Sequence, residues 1–268
     1  MFTRLLAPLF LLAHDFCAVE VPLIGIFPTL PSHNPQYYQQ WLEQAGARTV
    51  ILPTETPPEK LRELFLSLNA FLMPGGEGDL PDWTRQLVWM AVEANRAGDY
   101  FPVWGVCHGF GWVIKIFGGD NAMQCCFDSH DHPLHLTFTS QAPGKMFAKA
   151  NASLTQWFAE ERTVYDNHHH GIEPAHAAHN PNLTAVLDVL ATGTDRVGRP
   201  LVAAVEGKDL PIYGTQFHSE DVLFLDGAHA PKSAHAMAGA RHFADFFVDE
   251  AKKNKHVFFP LEPSIVMM

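Results

Sequence analysis

Between Phe101 and Phe117 the chain allows very few local geometries. An apolar run, Phe101-Pro-Val-Trp-Gly-Val106, leads into Cys107-His108-Gly109 and then into Phe110-Gly-Trp-Val-Ile-Lys-Ile-Phe117. The first run has the composition of a buried strand and the last reads as a helix. A strand that turns directly into a helix around a nucleophile must bend sharply, and side chains two positions either side of the turn residue would then collide. Gly105 and Gly109 occupy those two positions, and glycine removes the collision. The helix beginning at this turn aims its N–H groups and positive dipole end at the cysteine, a setting that suits a sulfur anion. Cys107 is therefore the candidate nucleophile, weighed against a plain buried cysteine between two glycines.

A second segment supplies what such a cysteine needs. Pro211-Ile-Tyr-Gly-Thr-Gln216-Phe217-His218-Ser219-Glu220 reads as a short strand ending in Gln-Phe-His-x-Glu. A thiol nucleophile requires a base that later returns the proton to the leaving group. Histidine does this near neutral pH. On an extended segment residues two apart face the same way, so Glu220 is expected to orient His218. Taken alone, a surface histidine beside a surface acid is the commoner reading of such a pair.

Together the two motifs resemble the class I glutamine amidotransferase-like hydrolases, and within them the γ-glutamyl hydrolase family. The resemblance extends along most of the chain: Pro22-Leu-Ile-Gly-Ile26, Tyr37-Tyr38 with Trp41–Arg48, Asn69–Gly76, Gly98–Cys107, Asn167-His168-His169, Leu225–Pro231 and Phe246–Asn254. It implies an α/β fold with a mostly parallel, flavodoxin-like central sheet flanked by helices. It also implies thioester chemistry on γ-linked glutamates of folylpoly-γ-glutamates, no cofactor or metal, and a homodimer. The Pro74-Gly75-Gly76 loop is implied in the oxyanion hole, Gly76 ahead of Gly75, with the N–H of His108 as a second donor. The histidine of the Asn-x-His motif falls on His169, with His168 and His170 one residue away, and is implied to bind the substrate's glutamate. The stretch from Gly25 to Tyr37 looks shorter than the family's, and His108 stands where small or apolar residues are also common. The runner-up is a related glutaminase-type hydrolase of glutamine or γ-glutamyl amines. A reading from another class is an inactive secreted binding glycoprotein, which has no need of Cys107, His218 and Glu220.

The formal net charge is −11 and no basic patch appears, which argues against a nucleic-acid partner. Sixteen histidines would protonate in acid and offset much of that charge. His168-His169-His170 and His130-x-His132-x-x-His135 lack the ligand spacing of a zinc site, so no metal is expected. Leu5–Ala13 is an apolar run of signal-peptide length after Arg4, too short to span a bilayer. We take residues 1–18 as a signal peptide and 19–268 as one catalytic domain, routed to the extracellular space or a lysosome or vacuole. The sequons at Asn151 and Asn182 agree with that route. Adjacent Cys125 and Cys126 are poorly placed to bond to each other, and four cysteines make no disulfide scaffold. Glu77 and Asp79, after the glycine loop, suit a substrate ammonium. Lysine and arginine number only 18 in all, and none is singled out as the carboxylate partner.

Alternation of apolar runs with amphipathic ones predicts strands at 21–27, 49–52, 70–73, 134–139, 185–191, 201–206 and 212–216, besides the one entering Cys107. Helices are predicted over 34–44, 57–68, 82–97, 151–158 and 232–251. Such alternation makes a mostly parallel sheet wrapped by helices, whose ligands sit beyond the carboxyl ends of its strands.

Overall fold

The computed structural model describes residues 21–28 and 34–257. The signal-peptide reading of residues 1–18, with Cys17, lies outside them. The first half alternates strand and helix: β1 (Leu23–Ile26), α1 (Pro35–Gln44), β2 (Arg48–Ile51), α2 (Pro58–Leu66), β3 (Ala70–Met73), α3 (Asp82–Arg96), β4 (Val103–Val106) and α4 (His108–Gly118). Next come β5 (Ser129–Leu134), β6 (Thr137–Phe138), α5 (Gly144–Ala148), α6 (Ala152–Glu160), β7 (Val164–His168), α7 (Pro174–Ala178) and α8 (Pro181–Val186). The chain closes with β8 (Leu187–Thr194), β9 (Pro200–Gly207), β10 (Ile212–Thr215), α9 (Ser219–Phe224) and α10 (Ala234–Ala251).

One eight-stranded sheet runs in the order β2-β1-β3-β4-β10-β9-β8-β6, and β5 pairs with β7 in a separate two-stranded sheet. The β2-β1-β3-β4-β10 part is parallel and the β10-β9-β8-β6 part antiparallel. Strands β1, β3, β4 and β10 are buried on both faces, whereas the edge strand β2 is only partly covered, and their side chains alternate between two cores. Phe71 and Met73 of β3 join the core under α2, α3 and α4, while Ala70 and Leu72 join the core under α1 and α10. Trp104 of β4 anchors the second core, its ring edge-on to Trp41, Phe243, Phe246 and Phe247 at 5.4–6.3 Å between centroids. No helix among the described residues is long and apolar enough to cross a membrane.

Three expectations need correction. The strand expected over 134–139 is two strands in different sheets. β5 ends at Leu134, the Leu136 N–H is taken by the Phe158 carbonyl at 2.7 Å, and β6 then joins the main sheet. The segment before β8 is helical from Pro181, because Asn180 caps it through Leu183 N–H at 3.1 Å. The extended run expected to reach Gln216 and beyond stops at Thr215, and residues 219–224 form α9 with His218 as its N-cap. Cys125 and Cys126 are free thiols, in keeping with the expectation for adjacent positions.

Candidate active site

β4 and β10 are hydrogen-bonded neighbours with Gly105 opposite Gly214 and Val106 opposite Thr215. Their carboxyl ends therefore deliver Cys107 and His218 to the same edge of the sheet. At the turn, Cys107 has φ 50° and ψ −99°, a conformation few residues other than glycine adopt. Its N–H is held by the Thr215 carbonyl at 2.8 Å. A Cβ on Gly105 would lie 2.3 Å from the Gly109 carbonyl oxygen, and one on Gly109 would lie 2.0 Å from that of Met73. Both glycines are thus required for the helix to approach β3 and β4 this closely.

His218 is buried beside the sulfur. Its Nδ1 donates to Glu220 Oε1 at 2.5 Å, which leaves Nε2 for the Cys107 thiol. Glu220 reaches the ring from the first turn of a helix, not by the two-residue alternation of a strand. Burial opposes charge on the ring, but the Cys107 sulfur and the Glu220 carboxylate, by charge and by hydrogen bond, outweigh it and hold the His218 pKa well above its ordinary value. Asp221 Oδ2 lies 3.7 Å from Nδ1. Burial and the neighbouring Glu220 charge push the Asp221 carboxyl up to about 6.

Gly75 and Tyr38 brace the imidazole from the other side. The Gly75 N–H donates to Tyr38 Oη at 2.8 Å, and that oxygen lies 3.3 Å from His218 Nδ1. Burial foremost, then the Glu220 and Asp221 charges, keep the Tyr38 hydroxyl protonated. A Cβ on Gly75 would fall 2.4 Å from His218 Cε1. So Gly75, expected among the oxyanion donors, has its N–H committed to Tyr38 and serves as the space in which the ring sits. The Gly76 N–H makes no hydrogen bond among the described residues. The His108 ring binds the Gly78 carbonyl through Nε2 at 2.7 Å, pinning the glycine loop to the start of α4.

The sulfur opens into a cavity of about 520 Å³. Its walls are the loop from Gly76 to Asp79, one face of α4, the end of β7 and Gln216. Cys107, Gly76 and Asn167 also border a smaller cleft that holds Tyr38, His218 and Glu220. His168, His169 and His170 all line the cavity. His168 is the buried one, with Nε2 3.1 Å from Asp166 Oδ2 but without hydrogen-bond geometry. His169 is exposed and stacks on His130 at 5.7 Å. The three do not converge on one point; among the described residues the group close enough to share an ion is His218, Glu220 and Asp221, where the direct 2.5 Å bond already satisfies the ring. Tyr38, Asp166 and Gln216 were given no role from sequence. Asp166 and His168 share a face of β7 by the two-residue period, a signal that β7, once recognised as a strand, would have carried. Gln216 Oε1 is buried without a partner at the cavity wall. Asn151 and Asn182 are exposed, at the starts of α6 and α8.

A thiol on a strained strand–helix turn, next to a carboxylate-held imidazole at the carboxyl edge of a doubly covered sheet, defines a cysteine-type hydrolase on a glutamine amidotransferase-like scaffold. The Peptidase C26 family model matches residues 29–220, and the chain belongs to that family. It is 33% identical over 233 residues to the γ-glutamyl hydrolase of Homo sapiens, covering 82% of this chain and 71% of that one. It is 29% identical over 258 residues to γ-glutamyl hydrolase B of Dictyostelium discoideum, covering 89% and 74%. Among solved structures it is similar to the glutaminase domain of Trypanosoma brucei CTPS with bound acivicin (TM-score 0.55, 18% identity, 89% of this chain and 96% of that one). It is also similar to a glutamine amido transferase of Methylobacillus flagellatus (TM-score 0.56, 15% identity, 90% and 98%). At those identities the likeness is one of fold.

Proposed function

We propose that this enzyme is a γ-glutamyl hydrolase that cleaves γ-linked glutamates from folylpoly-γ-glutamates. The observation that carries the proposal is the placement of Cys107 and of the His218–Glu220 pair at the ends of two paired strands. His218 takes the Cys107 thiol proton as general base, and the sulfur attacks the γ-amide carbonyl. The oxyanion is received by the N–H groups of Gly76 and His108, while His218 gives its proton to the departing amine. Water, deprotonated by His218, then hydrolyses the thioester and frees the thiol. Glu220 holds the ring in the orientation and protonation that both steps use. The Asn167–His170 end of β7 borders the glutamate being cleaved, with His169 in the binding role. Relatives of similar sequence bear the name γ-glutamyl hydrolase, which supports the bond type. Entry to the secretory pathway through residues 1–18, glycans on Asn151 and Asn182, and a homodimer complete the proposal.

A second reading has its own support. Glu77 and Asp79 border the cavity and suit an α-ammonium, which glutamine and γ-glutamyl amines carry but the links of a folylpolyglutamate do not. The test is glutamate release from folate pentaglutamate at pH 5 and 7 by wild type and Cys107→Ala. Release by wild type alone is expected. An inactive, folded wild type that instead turns over glutamine or γ-glutamyl amines would replace the first reading with the second.

A further inference from the structure

One charged side chain in the cavity takes no part in the chemistry of Cys107 and His218. Lys115 lies on α4 on the same face as His108, Gly111 and Trp112, and all four border the cavity. That face is set by the three- and four-residue spacing of a helix. Among the described residues Lys115 is the only lysine or arginine in the cavity wall. It is half-buried, and among the described residues its ammonium makes no ion pair or hydrogen bond. Eight residues after Cys107, it stands about 12 Å further along the helix axis. Helical side chains lean toward the N-terminus, so the ammonium is carried back toward the sulfur.

The surroundings make this charge informative. A carboxylate that leaves water for a half-buried cavity requires a cation to offset its lost hydration. The chain as a whole is strongly anionic, at −11, and the glycine loop adds Glu77 and Asp79 at the cavity. Against those carboxylates, Lys115 is the permanently charged cation that the described cavity wall offers an anionic ligand. A γ-glutamyl group carries its α-carboxylate three carbons from the scissile carbonyl, within the span between the sulfur and Lys115.

We propose that Lys115 is the anchor for an α-carboxylate of the γ-linked glutamate, and so selects γ-glutamyl donors over simple amides. The proposal rests on the γ-glutamyl reading of the site and deepens it. As a compact charge on a flexible stem, lysine accepts a carboxylate from several directions, which suits a substrate made of repeating units.

The test separates anchor from reaction by measuring binding without turnover. Affinity for γ-glutamylglutamate is measured by calorimetry on the full chain in a Cys107→Ala background, alone and with Lys115→Met or Lys115→Arg. Loss of the charged contact is expected to weaken binding about ten-fold or more in Lys115→Met, with most of it kept in Lys115→Arg. An analogue with its α-carboxylates converted to amides is expected to bind the background protein and Lys115→Met equally. Equal affinity of the two proteins for γ-glutamylglutamate, or no measurable binding by either, overturns the anchor whatever the wild type hydrolyses. Weakened binding in Lys115→Met, together with a wild type that cleaves no γ-glutamyl bond, would retain the anchor and sink the hydrolase reading.

Discussion

Cys107 pays for its position with its backbone. A non-glycine residue at φ 50°, ψ −99° stores on the order of 1–3 kcal/mol, and the flanking glycines and the Thr215 carbonyl hold it there. Cys107→Gly relieves that strain, less the roughly 0.5–1 kcal/mol of extra chain entropy glycine loses on folding. We expect Cys107→Gly to unfold a few degrees above Cys107→Ala in calorimetry, both inactive; an equal or lower melting temperature would show an unstrained turn. The neighbouring imidazole has the opposite character, since its partners favour its charged form. A ring whose pKa is raised keeps its proton as pH rises until that raised value is passed. Removing the Glu220 charge lowers the value, so Glu220→Gln should move the alkaline limb of kcat/KM to lower pH. It should also cost about 100-fold or more in rate. A pH profile that falls in height without shifting would mean that Glu220 acts on geometry alone.

At the scale of elements, the site depends on how closely a loop, a helix and a strand end can approach. The loop after β3 touches the imidazole at Gly75, where an added Cβ would sit 2.4 Å from Cε1 and 2.7 Å from Tyr38 Oη. Gly75→Ala is expected to lower kcat/KM by about 100-fold through a displaced His218. The overpacking should destabilise the fold by about 1–3 kcal/mol. Activity assays beside urea unfolding check both, and an active Gly75→Ala would mean the ring has slack. The same elements explain what could be read from sequence. The parallel strands were legible because each is a short apolar run between amphipathic helices, and the elbow because its glycine spacing has one geometric cause. β5 was not, because Ser-His-Asp-His-Pro-Leu carries no apolar alternation, and α9 was not, because six residues are too few for a helical period to register. Cys107, His218 and Glu220 were visible as residue types suited to the chemistry. Tyr38 was not, because a tyrosine on the buried face of α1 reads as core until its hydroxyl is seen between Gly75 and His218.

At the scale of the whole molecule, residues more than a hundred positions apart are joined through the sheet. Cys107 follows β4, His218 follows β10, and the hydrogen bonds between those strands set their separation. The intervening chain runs out to the β8–β9 hairpin, whose tip carries Val197 at 77% exposure and Gly198 at φ 84°. One consequence is that continuity of the chain through that tip is dispensable. A cut between Val197 and Gly198 would leave the thiol on one polypeptide and the imidazole on another, held together by the β8–β9 ladder, the β4–β10 ladder and the core beneath α10. With a protease site introduced at the tip, the two fragments should co-elute at the mass of the uncut protein and keep most of its turnover. Separation of the fragments in native buffer would show that the sheet needs the covalent link. If they stay together, the enzyme is a natural candidate for a split reporter, its activity returning only when two fused partners bring the halves side by side.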